Sequence, residues 1–483
     1  MPEPRTWRLT AGSAVLGLAL AAAAVTAAGP WDGGQRTAER ARAAAPAAGG
    51  AHHAPAPGPD GPRRPAPAPS APAVLAALGA GQASAGGDRA PAGPAEPAGP
   101  APRPADLAAA LVPLMADPGL GPLRTASVVD TATGATLYAE GATTPMTPAS
   151  TVKIATVTAA LSALGPDHRI TTTVTAHPDG RTLTLTGGGD PTLDTTRLQA
   201  LATTAARTLT ARGHTSVRLT YDTSLYQGPT LHPIGRDNEN LAPVTALMTR
   251  AGRLDDSTSG IAPRSADPAR DTATAFAGHL TAAGIQVTGL PAPGPTPRTE
   301  PLARTHSAPL SALAERTLTH SDNDLAEALA RQTALAHRQP ASFQGAEKAV
   351  HDELARLGLP LAGARFADGS GLDRRDRVTA ALLTGLLTRA ADPARPALRP
   401  VLTGLPVGGF TGTLATRYDT PPATAGAGLV RAKTGTLHGV NTLAGTVVTP
   451  GGRLLAFAFL AGTTPSAEQA QPALDRLSAA LTR

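Results

Sequence analysis

The chain has 483 residues, no cysteine, and 42 basic against 36 acidic residues, a formal net charge of +6. This length allows two or three domains with a sizeable buried core. The absence of cysteine excludes disulfides, a thiol nucleophile and Cys-ligated zinc or iron–sulfur centres, and the modest charge with 2% aromatic residues argues against nucleic-acid binding.

The N-terminus has the pattern of an export signal. Arg5 and Arg8 precede an uncharged stretch rich in Ala, Leu and Val, Leu9–Ala28, which ends in small residues. This stretch also approaches the roughly 20 residues that span a bilayer. We therefore expect residues 1–29 to be a signal peptide or a membrane anchor, and the protein to be extracytoplasmic and associated with the cell wall or membrane.

Residues 30–104 consist mainly of Ala, Pro and Gly. Such a composition buries too little apolar surface to offset the loss of chain entropy, so it predicts a disordered linker. The folded part begins near residue 105.

The folded part mixes helical and strand patterns without regular alternation, which favours an α+β fold class. In chain order the patterns predict a helix from Asp106, two strands within Ala126–Leu137, an apolar helix at Ile154–Leu164, a hairpin at Thr171–Thr186, helices over Pro309–Ala336 interrupted at Thr319–Ser321, and single strands within Gly428–Val448 and Arg453–Phe459.

The chain contains only three lysines: Lys153, Lys348 and Lys433. All its other basic residues are arginine. Arginine essentially never gives up its proton, whereas lysine does so when it is buried. A retained lysine therefore marks a position where an amine is needed, although Lys348 lies in an ordinary helical stretch and is assigned no role.

Ser150 and Lys153 stand three residues apart at the start of the apolar helix. At this spacing the two side chains lie on one face and can touch. A serine hydroxyl is a poor nucleophile until a base takes its proton, and a buried lysine with a lowered pKa can be that base. Taken alone, the pair also fits a helix-capping serine followed by an incidental lysine.

Two further motifs follow in the chain. Ser321-Asp-Asn323 interrupts a helical pattern, where a capping turn is the alternative interpretation. Lys433-Thr434-Gly435-Thr436 lies in a strand pattern, where Gly435 would let a ligand approach the backbone. An edge-strand lysine beside a flexible glycine is the alternative there.

In this order the three motifs are the signature of serine β-lactamases and penicillin-binding proteins. The first two motifs are far apart, which leaves room for inserted domains between them. In this arrangement the chain resembles the penicillin-binding protein 4 type of D-alanyl-D-alanine carboxypeptidase/endopeptidase, peptidase family S13. The segments that carry the resemblance are Pro148–Lys153, Leu185–Leu193, Ser321–Glu327, Asp368–Leu372 and Lys433–Leu437. Asp373–Arg377 departs from the family pattern, and its distance in sequence from the motifs suggests that it does not decide activity.

The resemblance implies a β-lactamase/transpeptidase-like catalytic domain, an antiparallel sheet flanked by helices. This domain would comprise residues 105–170 and 303–483. Residues 171–302 would form β-rich domains inserted between the first and second motifs.

The resemblance also implies roles for the motif residues. Ser150 would be the acyl-accepting nucleophile and Lys153 its base, while Ser321 would relay the proton and Asn323 would position the substrate amide. Substrate would also be bound by the third motif. There Lys433 and Thr434 would face the terminal carboxylate, Gly435 would allow close approach, and the N–H groups of Ser150 and Thr436 would form the oxyanion hole.

The implied reaction is hydrolysis of D-Ala-D-Ala in peptidoglycan stem peptides through an acyl-enzyme, with β-lactams as inhibitors. We expect no cofactor, no metal and no nucleic-acid partner. A β-lactamase or esterase on the same scaffold is one alternative, and a non-catalytic wall-binding or penicillin-sensing module is another. Retention of Lys153 argues against the inert module, because binding alone would tolerate arginine.

Overall fold

The computed structural model describes residues 99, 101–235 and 238–483. The predicted export signal and nearly all of the predicted linker lie outside the described residues. Within the described part, no helix is both long enough and apolar enough to cross a membrane.

The described residues form ten α-helices and eleven β-strands, with more residues in helices than in strands. Helices α1–α10 span Pro104–Met115, Lys153–Leu164, Thr195–Ala211, Pro268–Ala282, Leu310–Thr319, Asn323–Ala336, Phe343–Arg356, Ala380–Ala391, Pro400–Thr403 and Ala467–Ala480. Strands β1–β11 span Leu123–Asp130, Thr136–Glu140, Thr171–Ala176, Thr182–Thr186, Ser216–Asp222, Gln286–Val287, Ala292–Pro293, Pro301–His306, Val430–Leu437, Val440–Val448 and Leu454–Gly462.

A five-stranded antiparallel sheet of order β2-β1-β11-β10-β9 organises the parts that carry the motifs. Its central strand β11 is apolar throughout because helices cover both faces of the sheet. Ala456, Ala458 and Leu460 point into the core shared with α2 and α8, whereas Phe457 and Phe459 point into the core shared with α1 and α10. Because successive side chains of a strand point to opposite faces, β11 contributes to both cores.

A second sheet, of order β6-β5-β4-β3-β8, lies between the first and second motifs, with β7 also paired to β5. Strands β4 and β5 are parallel and are joined through α3, so a β-α-β unit stands beside the predicted hairpin β3–β4. Helices α3 and α4 pack on this sheet around Phe276 and Leu198. The second sheet extends to His306, and the predicted boundaries at 170 and 302 stay predictions.

One predicted element is wrong. Gly428–Val448 is not a single strand but the hairpin β9–β10, which turns at His438 and Gly439. Gly439 has a positive φ of 70°, which suits a tight two-residue turn. Residues on both sides of this turn are strand formers, so the pattern runs through it. The hairpin at Thr171–Thr186 and the interruption between α5 and α6 are confirmed.

Candidate active site

Ser150 lies in a 3₁₀ turn, Ala149–Val152, that leads directly into α2. The turn is held from two sides. The Pro148 carbonyl accepts hydrogen bonds from the hydroxyls of Thr151 and Thr442, both at 2.7 Å, which ties the turn to β10. Ala149 has a positive φ of 48°, a strained conformation for a residue with a side chain and one that tends to occur at functional sites.

Lys153 is fully buried and its amine contacts three oxygen atoms. Its Nζ lies 2.9 Å from Ser150 Oγ, 2.7 Å from Asn323 Oδ1 and 2.5 Å from the Ser370 carbonyl oxygen. Burial lowers the pKa of Lys153 to about 8, an effect that nearby carboxylates, Asp368 first among them, partly oppose. The predicted contact of Ser150 with Lys153 is present, and the amine is tuned toward losing its proton near neutral pH.

The second motif occupies the turn between α5 and α6. Ser321 has a positive φ of 56°, and the Asp322 carboxylate caps α6 by accepting the N–H of Leu325 at 3.0 Å. Asn323 is brought to Lys153 and also donates through Nδ2 to the Asn240 carbonyl at 3.1 Å. Among the described residues, no hydrogen bond joins the Ser321 hydroxyl to Ser150 or Lys153.

The third motif lies on β9. Lys433 is fully buried and its Nζ donates to the Thr434 carbonyl at 2.7 Å. Burial, and then the charge of Lys153, holds its pKa well below the ordinary value. The Thr434 hydroxyl donates to Thr413 at 2.8 Å, and Thr436 is exposed.

Gly435 has a packing role that its sequence pattern did not indicate. A Cβ at this position would collide with Thr442 Oγ1 and lie 2.6 Å from the Pro148 carbonyl oxygen. The missing side chain therefore lets β9 and β10 approach the turn that carries Ser150. The predicted approach of a ligand at Gly435 stays a prediction.

Sequence reasoning missed the contribution of the loop Asp368–Gly371. It supplies the Ser370 carbonyl to Lys153, and Gly371, at a φ of 86°, packs against the backbone of Ala149 and Ser150. Asp368–Leu372 contributes to the family resemblance, but this role has no signal in the sequence, because a backbone acceptor does not depend on residue type. The stretch Asp373–Arg377, which is distant in sequence from the three motifs, contacts this loop: the Asp376 carboxylate accepts the N–H of Asp368 at 3.3 Å.

Carboxylates behind this loop are buried and hydrogen-bonded. Asp368 and Glu327 accept backbone N–H groups of the loop, and Glu327 also pairs with Arg331 at 2.6 Å. Burial, and then the charge of Asp368, raises the pKa of Asp376 well above its usual value. The Asp368 carboxyl, by contrast, has its pKa held below its usual range by donors that include His232 and outweigh burial.

His232, Glu327 and Asp368 are the one set of described residues whose donor atoms are close enough to hold a metal ion. Their lone pairs, however, are already used. Glu327 faces the Arg331 guanidinium and two N–H groups, and Asp368 accepts the Ser370 hydroxyl and several N–H groups. A cation site does not fit here, because a guanidinium faces one candidate ligand and hydrogen-bond donors occupy the others. The cluster is a hydrogen-bonding network.

The family model for the D-Ala-D-Ala carboxypeptidase 3 (S13) family matches residues 107–259 and 254–481. The chain belongs to this S13 family. The predicted family and hydrolase class are thereby confirmed.

Relatives of this S13 member are similar over most of their length. It is 39% identical over 389 residues to a carboxypeptidase DacB from Mycolicibacterium smegmatis, covering 78% of this chain and 83% of the relative. It is 36% identical over 394 residues to carboxypeptidase Rv3627c from Mycobacterium tuberculosis, covering 77% and 83%.

A solved penicillin-binding protein 4 (dacB) from Haemophilus influenzae shares the fold. Its TM-score is 0.63 at 22% identity, over 78% of this chain and 97% of that one. The predicted α+β fold with a β-lactamase/transpeptidase-like catalytic domain is confirmed.

Proposed function

We propose that this S13 carboxypeptidase cleaves the terminal D-Ala from peptidoglycan stem peptides through an acyl-enzyme on Ser150. We extend the proposal to cross-linked peptides, so that the protein is an endopeptidase as well, and to β-lactams, which would acylate the same serine. Family membership supports the first of these activities, and the geometry around Ser150 supports the shared chemistry.

One observation carries the proposal: the arrangement of acceptors around the Lys153 amine. Asn323 Oδ1 and the Ser370 carbonyl oxygen, at 2.7 and 2.5 Å, accept hydrogen bonds and cannot donate them. A neutral amine has two hydrogens and one lone pair. If both hydrogens go to these two oxygens, the lone pair faces the third neighbour, Ser150 Oγ at 2.9 Å.

The protonation state fits this arrangement. With its pKa lowered to about 8, Lys153 is neutral in roughly a tenth of the molecules at pH 7. A pKa close to the working pH is suited to a base that must accept a proton and then return it.

The surroundings of Lys433 favour a substrate that carries a carboxylate. Lys433 is buried, and it donates a hydrogen bond to a neutral carbonyl, that of Thr434. A substrate carboxylate arriving there would offset the cost of burying the ammonium and would form a charge-assisted hydrogen bond. Stem peptides and β-lactams both present such a group beyond the bond that is cleaved.

The reaction then has two steps. Ser150 Oγ attacks the carbonyl carbon of the penultimate D-Ala, Lys153 takes the hydroxyl proton, and the C–N bond breaks as the departing amine takes a proton. Water then cleaves the ester and restores the serine. Ser321 relays the proton, and the N–H groups of Ser150 and Thr436 bind the developing oxyanion.

We also propose that the protein acts outside the cytoplasm, at the wall or membrane. Support comes from Arg5, Arg8 and the uncharged stretch Leu9–Ala28. Cell fractionation with mass spectrometry of the mature N-terminus would test this. A protein found in the cytosol with Met1–Ala28 intact would contradict export, and an intact segment in the membrane fraction would identify an anchor.

The decisive experiment is the intact mass of the full chain after incubation with benzylpenicillin, followed by peptide mapping. We expect one stable adduct on Ser150 and release of D-Ala from a D-Ala-D-Ala peptide in a parallel assay. No adduct with penicillin intact would favour the inert binding module. No adduct with penicillin consumed rapidly would favour a β-lactamase.

A further inference from the structure

His232 lies behind the active site although it comes from the long segment between the first and second motifs. Its side chain is 1% exposed, and its Nε2 is 2.8 Å from Asp368 Oδ2. Its Nδ1 accepts the backbone N–H of Ile234 at 3.2 Å. Because Nδ1 is an acceptor, the ring proton lies on Nε2, and His232 donates to Asp368.

Asp368 organises the loop that reaches Lys153. The oxygen that accepts from His232 also accepts the Ser370 hydroxyl at 2.7 Å and the N–H of Leu372 at 3.0 Å. The other oxygen accepts the N–H of Gly371 at 2.7 Å. One carboxylate thus holds the Ser370 hydroxyl and the Gly371 N–H, the groups on either side of the carbonyl that accepts from Lys153.

Glu327 fixes the same loop from α6. Its Oε1 accepts the N–H groups of Gly369 and Ser370 at 2.9 and 3.0 Å. The His232 ring also packs edge to face against Phe343, with ring centroids 5.4 Å apart. His232 is therefore held by packing as well as by its two hydrogen bonds.

The other acceptor of the Lys153 amine is fixed from the same segment of the chain. The Asn240 carbonyl accepts from Asn323 Nδ2, which turns the Asn323 oxygen toward Lys153. Nearby, Asp324 accepts the N–H of Ala242 at 2.9 Å and pairs with Arg264 at 2.6 Å. The inserted part of the chain thus contacts the supports of both oxygens that orient the amine.

We propose that His232 is a positioning residue for acylation, which acts through Asp368 to hold the Ser370 carbonyl at the distance that aims Lys153 toward Ser150. The inference rests on the proposed function, because it assumes that Ser150 is acylated. It extends that function by giving the segment between the motifs a part in setting the acylation rate.

The physical reason is orientational. Without the His232 donor, Asp368 keeps its charge and its hydrogen bonds to the loop but loses the bond that ties it to the segment between the motifs, so the carboxylate and the Ser370 carbonyl that it orients can shift together. Displacements of about 1 Å in a catalytic group reduce rates by about a hundredfold. We expect a 10- to 100-fold fall in acylation, at the order of magnitude that this principle sets.

Two substitutions separate the hydrogen bond from the bulk of the ring. In His232→Gln the amide nitrogen reaches about as far as Nε2 and can still donate to Asp368. In His232→Asn the amide is shorter by one methylene and cannot reach it. His337→Asn is the matched control, since His337 also contacts a carboxylate, Glu353 at 3.0 Å, but not the loop that binds Lys153.

The test measures acylation by benzylpenicillin in the full chain, with the rate at saturation separated from the concentration that gives half the maximal rate. Thermal unfolding is followed in parallel. We expect His232→Asn to lose 10- to 100-fold in the saturating rate with the half-saturating concentration little changed, while His232→Gln and His337→Asn stay within about threefold of the wild type.

Equal acylation rates in His232→Asn and the wild type would overturn the inference while leaving the proposed function intact. Equal losses in the Gln and Asn variants, accompanied by equal falls in melting temperature, would also overturn it, because the ring would then be only structural. A wild-type chain that is not acylated would overturn the proposed function and this inference together.

Discussion

The start of α2 and strand β9 each place one fully buried lysine at the site, but the two amines have different surroundings. Lys153 contacts three oxygens, and several carboxylates, Asp368 first, oppose the effect of burial on its pKa. Lys433 has one hydrogen bond, to the Thr434 carbonyl, and the charge that acts on its pKa is the positive charge of Lys153. These surroundings suit the roles that we propose, proton transfer for the first amine and binding of a substrate anion for the second.

The largest expected effect is on acylation in Lys153→Arg. Arginine keeps the charge but cannot act as a base, and removal of a general base costs about 100- to 10,000-fold in rate. We expect the rate constant for acylation by a fluorescent penicillin to fall within that range.

Lys348→Arg is the matched control for that variant. Lys348 is an exposed lysine on α7, in an ion pair with Asp352, and its replacement leaves the site untouched. We expect it to acylate at the wild-type rate. A Lys153→Arg variant that acylates as fast as this control would exclude Lys153 as the base and erase the contrast with Lys433.

The buried charge of Lys153 also predicts how stability depends on pH. In the folded chain its pKa is about 8, against 10.5 for an unperturbed lysine. Below pH 8 both folded and unfolded chains carry the proton, so the full cost of burying the charge is present. Between these values the unfolded chain binds more protons, and stability rises with pH.

Lys153→Met removes that dependence because methionine carries no charge. From pH 7 to 11, the free energy of unfolding of the wild type should rise relative to that of Lys153→Met by about 3 kcal/mol. Chemical denaturation across this range measures the difference. A constant difference would show that Lys153 has an ordinary pKa in the folded protein.

A smaller effect is expected for Lys433→Arg, because the proposed role of Lys433 is electrostatic and arginine keeps the charge. We expect about a tenfold fall in kcat/KM on a D-Ala-D-Ala peptide, in the range of one charged hydrogen bond made in poorer geometry. Lys433→Met should lose more and should no longer favour the free acid over the C-terminal amide of the peptide. A loss in Lys433→Arg equal to that in Lys153→Arg would contradict the division of roles.

Some neighbours of Lys153 could be predicted from the sequence, and others could not. Ser150, Lys153 and Asn323 were predictable as neighbours because a local spacing and a motif order identify them. The Ser370 carbonyl was not, since a backbone oxygen has no residue type. His232 was not either, because its contact with Asp368 joins residues far apart in the chain.

The packing roles of Glu327 and Gly435 were not predicted from the sequence. A Glu with an Arg four residues later on α6 indicates an ion pair along one helix face, and the structure contains this pair in a buried position. Gly435 has a packing role beside its predicted one, because Thr442 and Pro148 occupy the space that its missing side chain leaves. Such packing depends on strand pairing, which a single-strand interpretation of Gly428–Val448 did not include.

The smallest effect should come from Thr413→Val, which tests the role of Thr434 on β9. The Thr434 hydroxyl donates to Thr413 at 2.8 Å in an exposed setting, so the bond is worth about 0.5–1 kcal/mol. If Thr434 binds the substrate carboxylate, loss of this partner leaves its hydroxyl free to rotate, and KM should rise about two- to fivefold while kcat holds. The acylation rate at saturating penicillin should not change, because among the described residues Thr413 is hydrogen-bonded to Thr434 and not to Ser150 or Lys153. A fall in that rate as large as the rise in KM would mean that β9 and the turn that carries Ser150 act as one unit. The assignment of Lys153 as base and Lys433 as anion receptor would then be incorrect.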